Sequence, residues 1–288
     1  MATNQPDSPP TLTFAQRLKK KKKEKGLPVS SSDEDEPMEE LGEGVTILSK
    51  MPIRMVTLHP GNIVKKSGKQ IYLEEADALR VAAEAKLPVP HIHGTETTPD
   101  GKKHIYMNYI EGDLLSDVWP GLSIDSKNDI AQQLRAILVT MRSIPPPKDY
   151  IGDCSQSQIR DTRSMFTYTA PPCGNEKEFN DYLTDALFPL TPPAIRNAFS
   201  HRLQTNHRIV LTHGDLTPRN TIVRDGKIAG IIDWEDAGWY PEYWEYVKFL
   251  SHSGTRYGDW WCFVDDILPQ AYPDELVDYI ALSKWQSP

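Results

Sequence analysis

Apolar and polar positions follow two different rhythms along this chain, and the change between them locates the elements. From residue 44 onward the apolar runs are short: Val45–Leu48, Ile53–Leu58 and Asn62–Lys66 read as strands, and Pro60-Gly61-Asn62 is the clearest turn between them. Leu73–Ala85 shifts to a helical period, with Leu73, Ala76, Leu79 and Ala83 on one stripe, and Pro88 and Pro90 stop it. His104–Ile110 reads as another strand, broken by Glu111-Gly112-Asp113. The order β-β-β-α-β predicts a small sheet carrying one helix. His91-Ile92-His93 is expected to link the two halves of the molecule rather than to bind metal, since no third ligand accompanies the two imidazoles.

Helical periods dominate beyond residue 112. Ser126–Ser143 carries Ile130, Leu134, Ile137, Leu138 and Met141 at helical spacing until Pro145-Pro146-Pro147 forbids continuation. Residues 151–178 look irregular and polar. Glu178–Phe188, Pro193–Leu203, Tyr240–Leu250, Asp259–Leu268 and Pro273–Leu282 read as helices. Between them, Thr221–Arg224 and Lys227–Ile232 flank Asp225-Gly226, the residue pair that a two-residue hairpin turn demands. Carried outward from that turn, a regular register sets Asn220 opposite Ile231 and Asp233 opposite Pro218. Asn220 and Asp233 then lie diagonally, roughly 7–8 Å apart, at the open end of the hairpin. Asp215 enters the same edge from the preceding loop. Two carboxylates and an amide converging there suit Mg²⁺, a hard ion that takes one or two carboxylates and leaves room for phosphate oxygens.

Composition narrows the classes that remain. The chain has 288 residues, with 32 Lys+Arg against 40 Asp+Glu, a net charge of −8. That length supports one large or two modest domains. Apolar runs fall far short of the roughly 18 residues of a membrane helix, and residues 1–16 lack the apolar core of a leader peptide. Three cysteines (Cys154, Cys173 and Cys262) form no paired or metal-binding pattern, which predicts free thiols in a cytoplasmic protein. The charge is unevenly spread. Residues 1–43 hold seven bases against nine acids, a net of −2, which leaves −6 on residues 44–288. The bases cluster at Arg17–Lys25 and the acids at Asp33–Glu43, so this stretch reads as a disordered charged tail. Lys19–Lys25 has the composition of a nuclear-import signal or an anchor for anionic surfaces, and Ser30, Ser31 and Ser32 each precede an acid by three residues, as acid-directed kinases require. A spanning membrane protein, a disulfide scaffold and a globally basic nucleic-acid binder are excluded.

The run His213-Gly214-Asp215-Leu216-Thr217-Pro218-Arg219-Asn220, followed by Ile231-Ile232-Asp233-Trp234-Glu235, resembles the catalytic core of the aminoglycoside phosphotransferase family, relatives of choline kinases within the protein-kinase-like superfamily. Asp236-Ala237-Gly238-Trp239-Tyr240-Pro241-Glu242-Tyr243-Trp244-Glu245 and Ser143-Ile144-Pro145-Pro146-Pro147 resemble its filamentous-fungal branch. The resemblance covers about residues 45–288. It implies an α+β, two-lobed protein-kinase-like fold: a small β-rich N-lobe over residues 44–111, serving as nucleotide clamp, and a larger, mainly helical C-lobe over 112–288. It also implies transfer of the γ-phosphate of ATP, with Mg²⁺, to a hydroxyl of a small molecule by a monomeric enzyme. Net acidity in the C-lobe would suit a cationic acceptor.

The same resemblance assigns roles. Asp215 would orient or deprotonate the acceptor hydroxyl, and Asn220 and Asp233 would hold Mg²⁺. His213 is expected to be structural, and Arg219 either touches phosphate or forms a salt bridge. Lys65 matches the strand lysine that reaches the phosphates and Glu75 the helix glutamate that positions it, with Lys66 and Glu74 the adjacent candidates. The Asn108 carbonyl and Ile110 N–H would bind the adenine edge through the backbone. Three departures stand out. No G-x-G-x-x-G precedes Lys65, the expected phosphate loop Ser49-Lys50-Met51-Pro52 has no glycine, and Thr217 replaces the family's histidine. A catalytically weak or inactive nucleotide-binding module is therefore an alternative, and a metal-dependent hydrolase using His213, Asp215 and Asp233 a more remote one.

Overall fold

Alternating side-chain faces organise the first part of the molecule. Strands β1 (Thr46–Met51), β2 (Arg54–His59), β3 (Ile63–Gly68), β4 (Ile92–Thr97) and β5 (Lys103–Asn108) form one antiparallel sheet in the order β1-β2-β3-β5-β4. Helix α1 (Glu75–Glu84) follows β3 and buries Ala76, Ala78, Leu79 and Ala82; Ala76 and Leu79 belong to the stripe its sequence predicts, whereas Leu73 and Ala83 are only partly buried. This computed structural model describes residues 42–163, 166–253 and 257–286. The expected tail, including the lysine run and Ser30–Ser32, lies almost wholly outside the described residues. The sheet has one strand more than the periodicity indicates. His91-Ile92-His93 does not simply link the two halves: Ile92 begins β4, an edge strand in which only every second residue needs to be apolar.

Beyond Gly112 the chain forms β6 (Asp113–Leu114), α2 (Ile124–Arg142), β7 (Gly152–Asp153), the hairpin of β8 (Ile159–Thr162) and β9 (Thr167–Ala170), α3 (Glu176–Asp185) and α4 (Pro193–Arg202). It continues with β10 (Ile209–Thr212), the hairpin of β11 (Thr221–Arg224) and β12 (Lys227–Ile231), β13 (Gly238–Pro241), α5 (Trp244–Ser253) and α6 (Pro273–Ser283). Two small sheets, β10-β13-β7 and β12-β11-β6, lie among these helices. Trp119, Trp234, Trp244 and Trp260 are fully buried, and Trp244 meets Phe179 and Tyr279 edge-on at 5.1 and 5.4 Å, as aromatic quadrupoles prefer. All three cysteines are free. No helix among the described residues is long and apolar enough to cross a membrane.

Two sequence expectations fail here, each because of what is buried. Tyr240–Leu250 is not one helix: Gly238–Pro241 is the central strand of its sheet, buried throughout, and the helix begins only at Trp244. A strand covered on both faces loses its alternation and cannot be told from a buried helix by period. Residues 151–178 are not irregular either, since they hold β7, β8 and β9. Their polarity misleads because the charges are buried in ion pairs. Asp161 on β8 is wholly buried and receives Lys248 of α5 at 2.7 Å and Arg163 at 2.7 Å. Removing one partner of such a pair strands the other charge in a low-dielectric interior. Lys248→Met should therefore lower unfolding free energy by about 3–5 kcal/mol in denaturant titrations, and adding Asp161→Leu should restore part of the loss.

Candidate active site

The site begins with a choice between two adjacent lysines. Side chains alternate along β3, so Val64 and Lys66 share the buried face, where their cross-strand partners are Met107 and Ile105. Lys65 points to the other face, 5.8 Å from the Tyr106 ring centroid. Lys66, not Lys65, is thus the lysine that meets Glu75. Its Nζ donates to Glu75 Oε2 and to Asp233 Oδ1, both at 2.6 Å, and lies 3.9 Å from Glu235 Oε2. Glu75 is placed by the first turn of α1, which faces the same side of the sheet. Burial opposes a charge on Lys66, but the carboxylates of Asp233, Glu75 and Glu235 outweigh it and raise its pKa far above the ordinary value.

The hairpin brings Asp233 to this cluster by a route more irregular than predicted. Asp225 and Gly226 have φ of 51° and 74°, the left-handed pair of the expected turn, and Arg224 pairs with Lys227. A bulge then intervenes: Val223 faces Ile228 but Ile222 faces Gly230, so Ala229 is an extra residue. Asn220 accordingly bonds Ile232, through its carbonyl and the Ile232 N–H at 2.9 Å, and does not face Ile231. Asp233 itself has φ 65°, a left-handed conformation that aspartate tolerates better than most residues. Burial opposes ionisation of Asp233, yet Lys66 and Arg54 hold its carboxyl below the usual range.

Asp215 sits on the loop after β10 and is almost wholly buried. Arg219 donates to its Oδ2 at 2.6 Å, and the Asn220 amide donates to its Oδ2 and its carbonyl, each at 2.8 Å. Arg219 is therefore in the salt-bridge arrangement. The loop is braced from below. Nδ1 of His213 accepts the Asp215 N–H at 3.2 Å and Nε2 donates to the Ile232 carbonyl at 3.1 Å, so both ring nitrogens are committed to structure. Glu245, fully buried at the start of α5, accepts the N–H groups of His213 and Gly214 at 2.6 and 3.2 Å. Gly214 has φ 81°, and a Cβ there would lie 2.8 Å from the Asp236 carbonyl, so the loop can take no side chain at that point.

The remaining predicted residues lie at the margin. Asn108 ends β5, exposed, with its N–H bonded to the His91 carbonyl at 3.0 Å. Ile110 lines a cavity of about 500 Å³ with Asn62, Tyr109, Glu111, Arg224 and Ala229. Its side chain rests where a Cβ on Gly230 would be, at 2.3 Å. A second cavity of about 430 Å³, bordered by Arg202, Tyr243, Asp274 and Asp278, shares no residue with the Lys66 cluster.

Asn220, Asp233 and Glu235 offer oxygen donors that fit a hard divalent ion, while Glu75 is taken by Lys66. Glu75, Asp233 and Glu235 each offer a carboxylate oxygen within 4.8 Å of the others. The Asn220 amide spends its N–H groups on Asp215, and no donor among the described residues binds its oxygen. Oxygen-only ligands of this kind select Mg²⁺ or Mn²⁺ over softer metals. Two charged neighbours carried no role in the sequence reading. Glu235 stands two residues past Asp233, and Arg54, at the head of β2, reaches Glu235 Oε1 at 3.3 Å and Asp233 Oδ2 at 3.6 Å. No motif marks Arg54; only the sheet order brings it here.

Residues 65–279 match the Phosphotransferase enzyme family. No curated protein matches the sequence at a significant level. Among solved structures the chain is similar to the apo form of a thermostable mutant of aminoglycoside phosphotransferase APH(4)-Ia (TM-score 0.56, 14% identity, 83% of each chain covered). It is similar also to the streptomycin–ATP ternary complex of APH(2")-IIa (TM-score 0.54, 16% identity, 94% of this chain and 87% of that one). A third is the GDP complex of wild-type aminoglycoside 2'-phosphotransferase-IIIa (TM-score 0.52, 20% identity, 85% of this chain and 83% of that one). At these identities the likeness is one of fold: two-lobed, protein-kinase-like and α+β, with a β-rich smaller lobe and a mainly helical larger one.

Burial pushes the Glu75 carboxyl up from 4.5 to about 7, against the pull of Lys66. Across that window the folded protein holds a proton that the unfolded chain releases, so this group's contribution to stability falls as pH rises from about 4.5 to about 7. Glu75→Gln removes the titration. Denaturant titrations at stepped pH should show the wild type losing stability relative to the variant across the window, and parallel curves would exclude the shift.

Proposed function

The chain belongs to the Phosphotransferase enzyme family, and from that premise we propose that it moves the γ-phosphate of ATP to a hydroxyl of a small molecule. The observation that carries the reading is Lys66 bound between Glu75 and Asp233, with Asp215 within electrostatic reach of Asp233. Cations, carboxylates and an amide oxygen meet there as phosphoryl transfer requires, because that chemistry depends on positioning and charge neutralisation more than on covalent help.

The acceptor oxygen forms a bond to phosphorus as the bond to the leaving diphosphate oxygen breaks, and the hydroxyl proton passes to Asp215. Arg219 and Asn220, both bonded to the Asp215 carboxylate, fix its direction. The loose transition state of such transfers asks little of the base before the leaving group has moved away. Lys66, oriented by Glu75, faces the phosphates. Asn220 and Asp233 would hold Mg²⁺, with Glu235 as a further oxygen donor, and the bound ion would neutralise charge developing on the phosphates. The Asn108 carbonyl and Ile110 N–H take the adenine edge. Residues 44–111 then serve as nucleotide clamp and 112–288 as the catalytic and acceptor-binding part of a monomeric, cytoplasmic enzyme. The net −6 on residues 44–288 favours a cationic acceptor. The Asp236–Glu245 run resembles the family's filamentous-fungal branch and supports that narrower reading.

The glycine-free phosphate turn favours one alternative, a module that binds nucleotide without turning it over. A panel of hydroxyl-bearing amines and sugars, scored for ADP release with Mg²⁺-ATP, separates the two. Transfer to at least one acceptor is expected, and Asp215→Ala should lower its rate about 10²–10⁴-fold. Lys66→Met should abolish transfer while Lys65→Met stays within about twofold of wild type. The reverse result would restore Lys65 to the phosphate-facing role.

A further inference from the structure

We propose that Arg54 is a phosphate-binding residue, whose guanidinium grips the terminal phosphates of the nucleotide in place of the backbone N–H groups that a glycine-rich loop would supply. The inference rests on the nucleotide-dependent reading above and adds a residue to it.

The turn where such a loop belongs has little to offer. Met51 pairs directly with Arg54, so only Pro52 and Ile53 lie between β1 and β2. Proline has no N–H, which leaves one backbone donor at the tip. No glycine occurs from Thr46 to His59, so the chain cannot fold its amides into a cradle. The turn nevertheless lies close over the sheet. Gly68 is on the same face of β3 as Lys66, and a Cβ there would fall 2.2 Å from the Ile53 carbonyl and 3.1 Å from Arg54 Cα. The missing side chain at Gly68 is what lets the head of β2 settle beside the lysine.

From that position Arg54 reaches the same carboxylates as Lys66, but it holds them differently. The Lys66 contacts are 2.6 Å and its side chain is 7% exposed. The Arg54 contacts are 3.3 and 3.6 Å and its side chain is 23% exposed. Charge-assisted hydrogen bonds settle near 2.7–2.9 Å, so the guanidinium is loosely held and is the cation an incoming anion meets first. A divalent ion taking Asp233 and Glu235 would compete with Arg54 for the same oxygens. The guanidinium cannot shed its charge, and its planar fork matches phosphate oxygens in pairs. Terminal phosphates bridged to that ion are the anions within its reach.

The test compares nucleotides that differ in phosphate count, using the full-length protein with MgCl₂. Affinities for ATP, ADP and AMP are measured by displacement of a fluorescent ATP analogue for wild type, Arg54→Met and Arg54→Lys. The expected result is a loss of tenfold or more for ATP in Arg54→Met, a change under twofold for AMP, and partial recovery in Arg54→Lys. Thermal melts confirm that each variant folds, and Arg54→Gln replaces Arg54→Met should the latter not fold. Unchanged ATP affinity in a folded variant overturns the proposal. So does an equal loss for ATP and AMP, which would mark Arg54 as structural. A wild type that binds analogue but keeps its affinity on substitution refutes Arg54 alone, whereas one that binds no nucleotide removes the kinase reading and this inference together.

Discussion

A lysine ammonium survives burial only where carboxylates close around it, and Lys66 draws one from the neighbouring helix and two from a distant part of the chain. Glu75 arrives on the first turn of α1, Asp233 on the segment leaving β12, and Glu235 two residues later. Desolvation of each ion costs several kcal/mol, so none of these groups is stable in its place without the others. The requirement ties α1 to the sheet and the sheet to the segment that leaves β12. It also accounts for the left-handed backbone at Asp233, since the ion pair to Lys66 offsets a strain of about 1–3 kcal/mol.

A second set of buried charges supports the loop from behind. Glu245 holds two N–H groups of the Asp215 loop, and Asp236 accepts from Arg160 Nε at 2.6 Å and the Thr162 hydroxyl at 2.7 Å. Acids in such positions carry no surface function. Glu245 satisfies backbone donors of the loop and Asp236 side-chain donors of β8 that would otherwise be stranded in the interior.

Much of this was legible in the chain, and the misreadings have physical causes. Asp225-Gly226 announced its turn because few residues tolerate positive φ, and the α1 stripe announced itself through apolar spacing. The HGDLTPRN and IIDWE runs marked the candidate site because they are local in sequence. Lys65 and Lys66 could not be separated by type, only by face, and the face was written in Val64 and in the cross-strand residues Ile105 and Met107. The bulge at Ala229 leaves no residue signature, so the register slipped by one along the open end of the hairpin. Arg54, Glu245 and Arg160 were silent for a further reason: each acts across more than 30 residues of sequence, on partners that only the folded topology supplies.

Arg160 has a mechanical consequence. Its guanidinium carbon lies 3.3 Å from the centre of the Tyr72 ring, three residues before Glu75, while its Nε holds Asp236, three residues after Asp233. It therefore works as a clasp between the sheet-and-helix half and the helical half, on a path separate from the chain crossing at Tyr109–Gly112. Any swing that parts the halves about that crossing must lift the ring from the guanidinium. A desolvated contact of this kind is worth about 2 kcal/mol, a factor of roughly thirty in any equilibrium that breaks it. Parting the halves there means breaking this contact together with the Lys66–Asp233 and Arg54–Glu235 pairs, so the arginine adds a third fastening, set apart from the ion cluster.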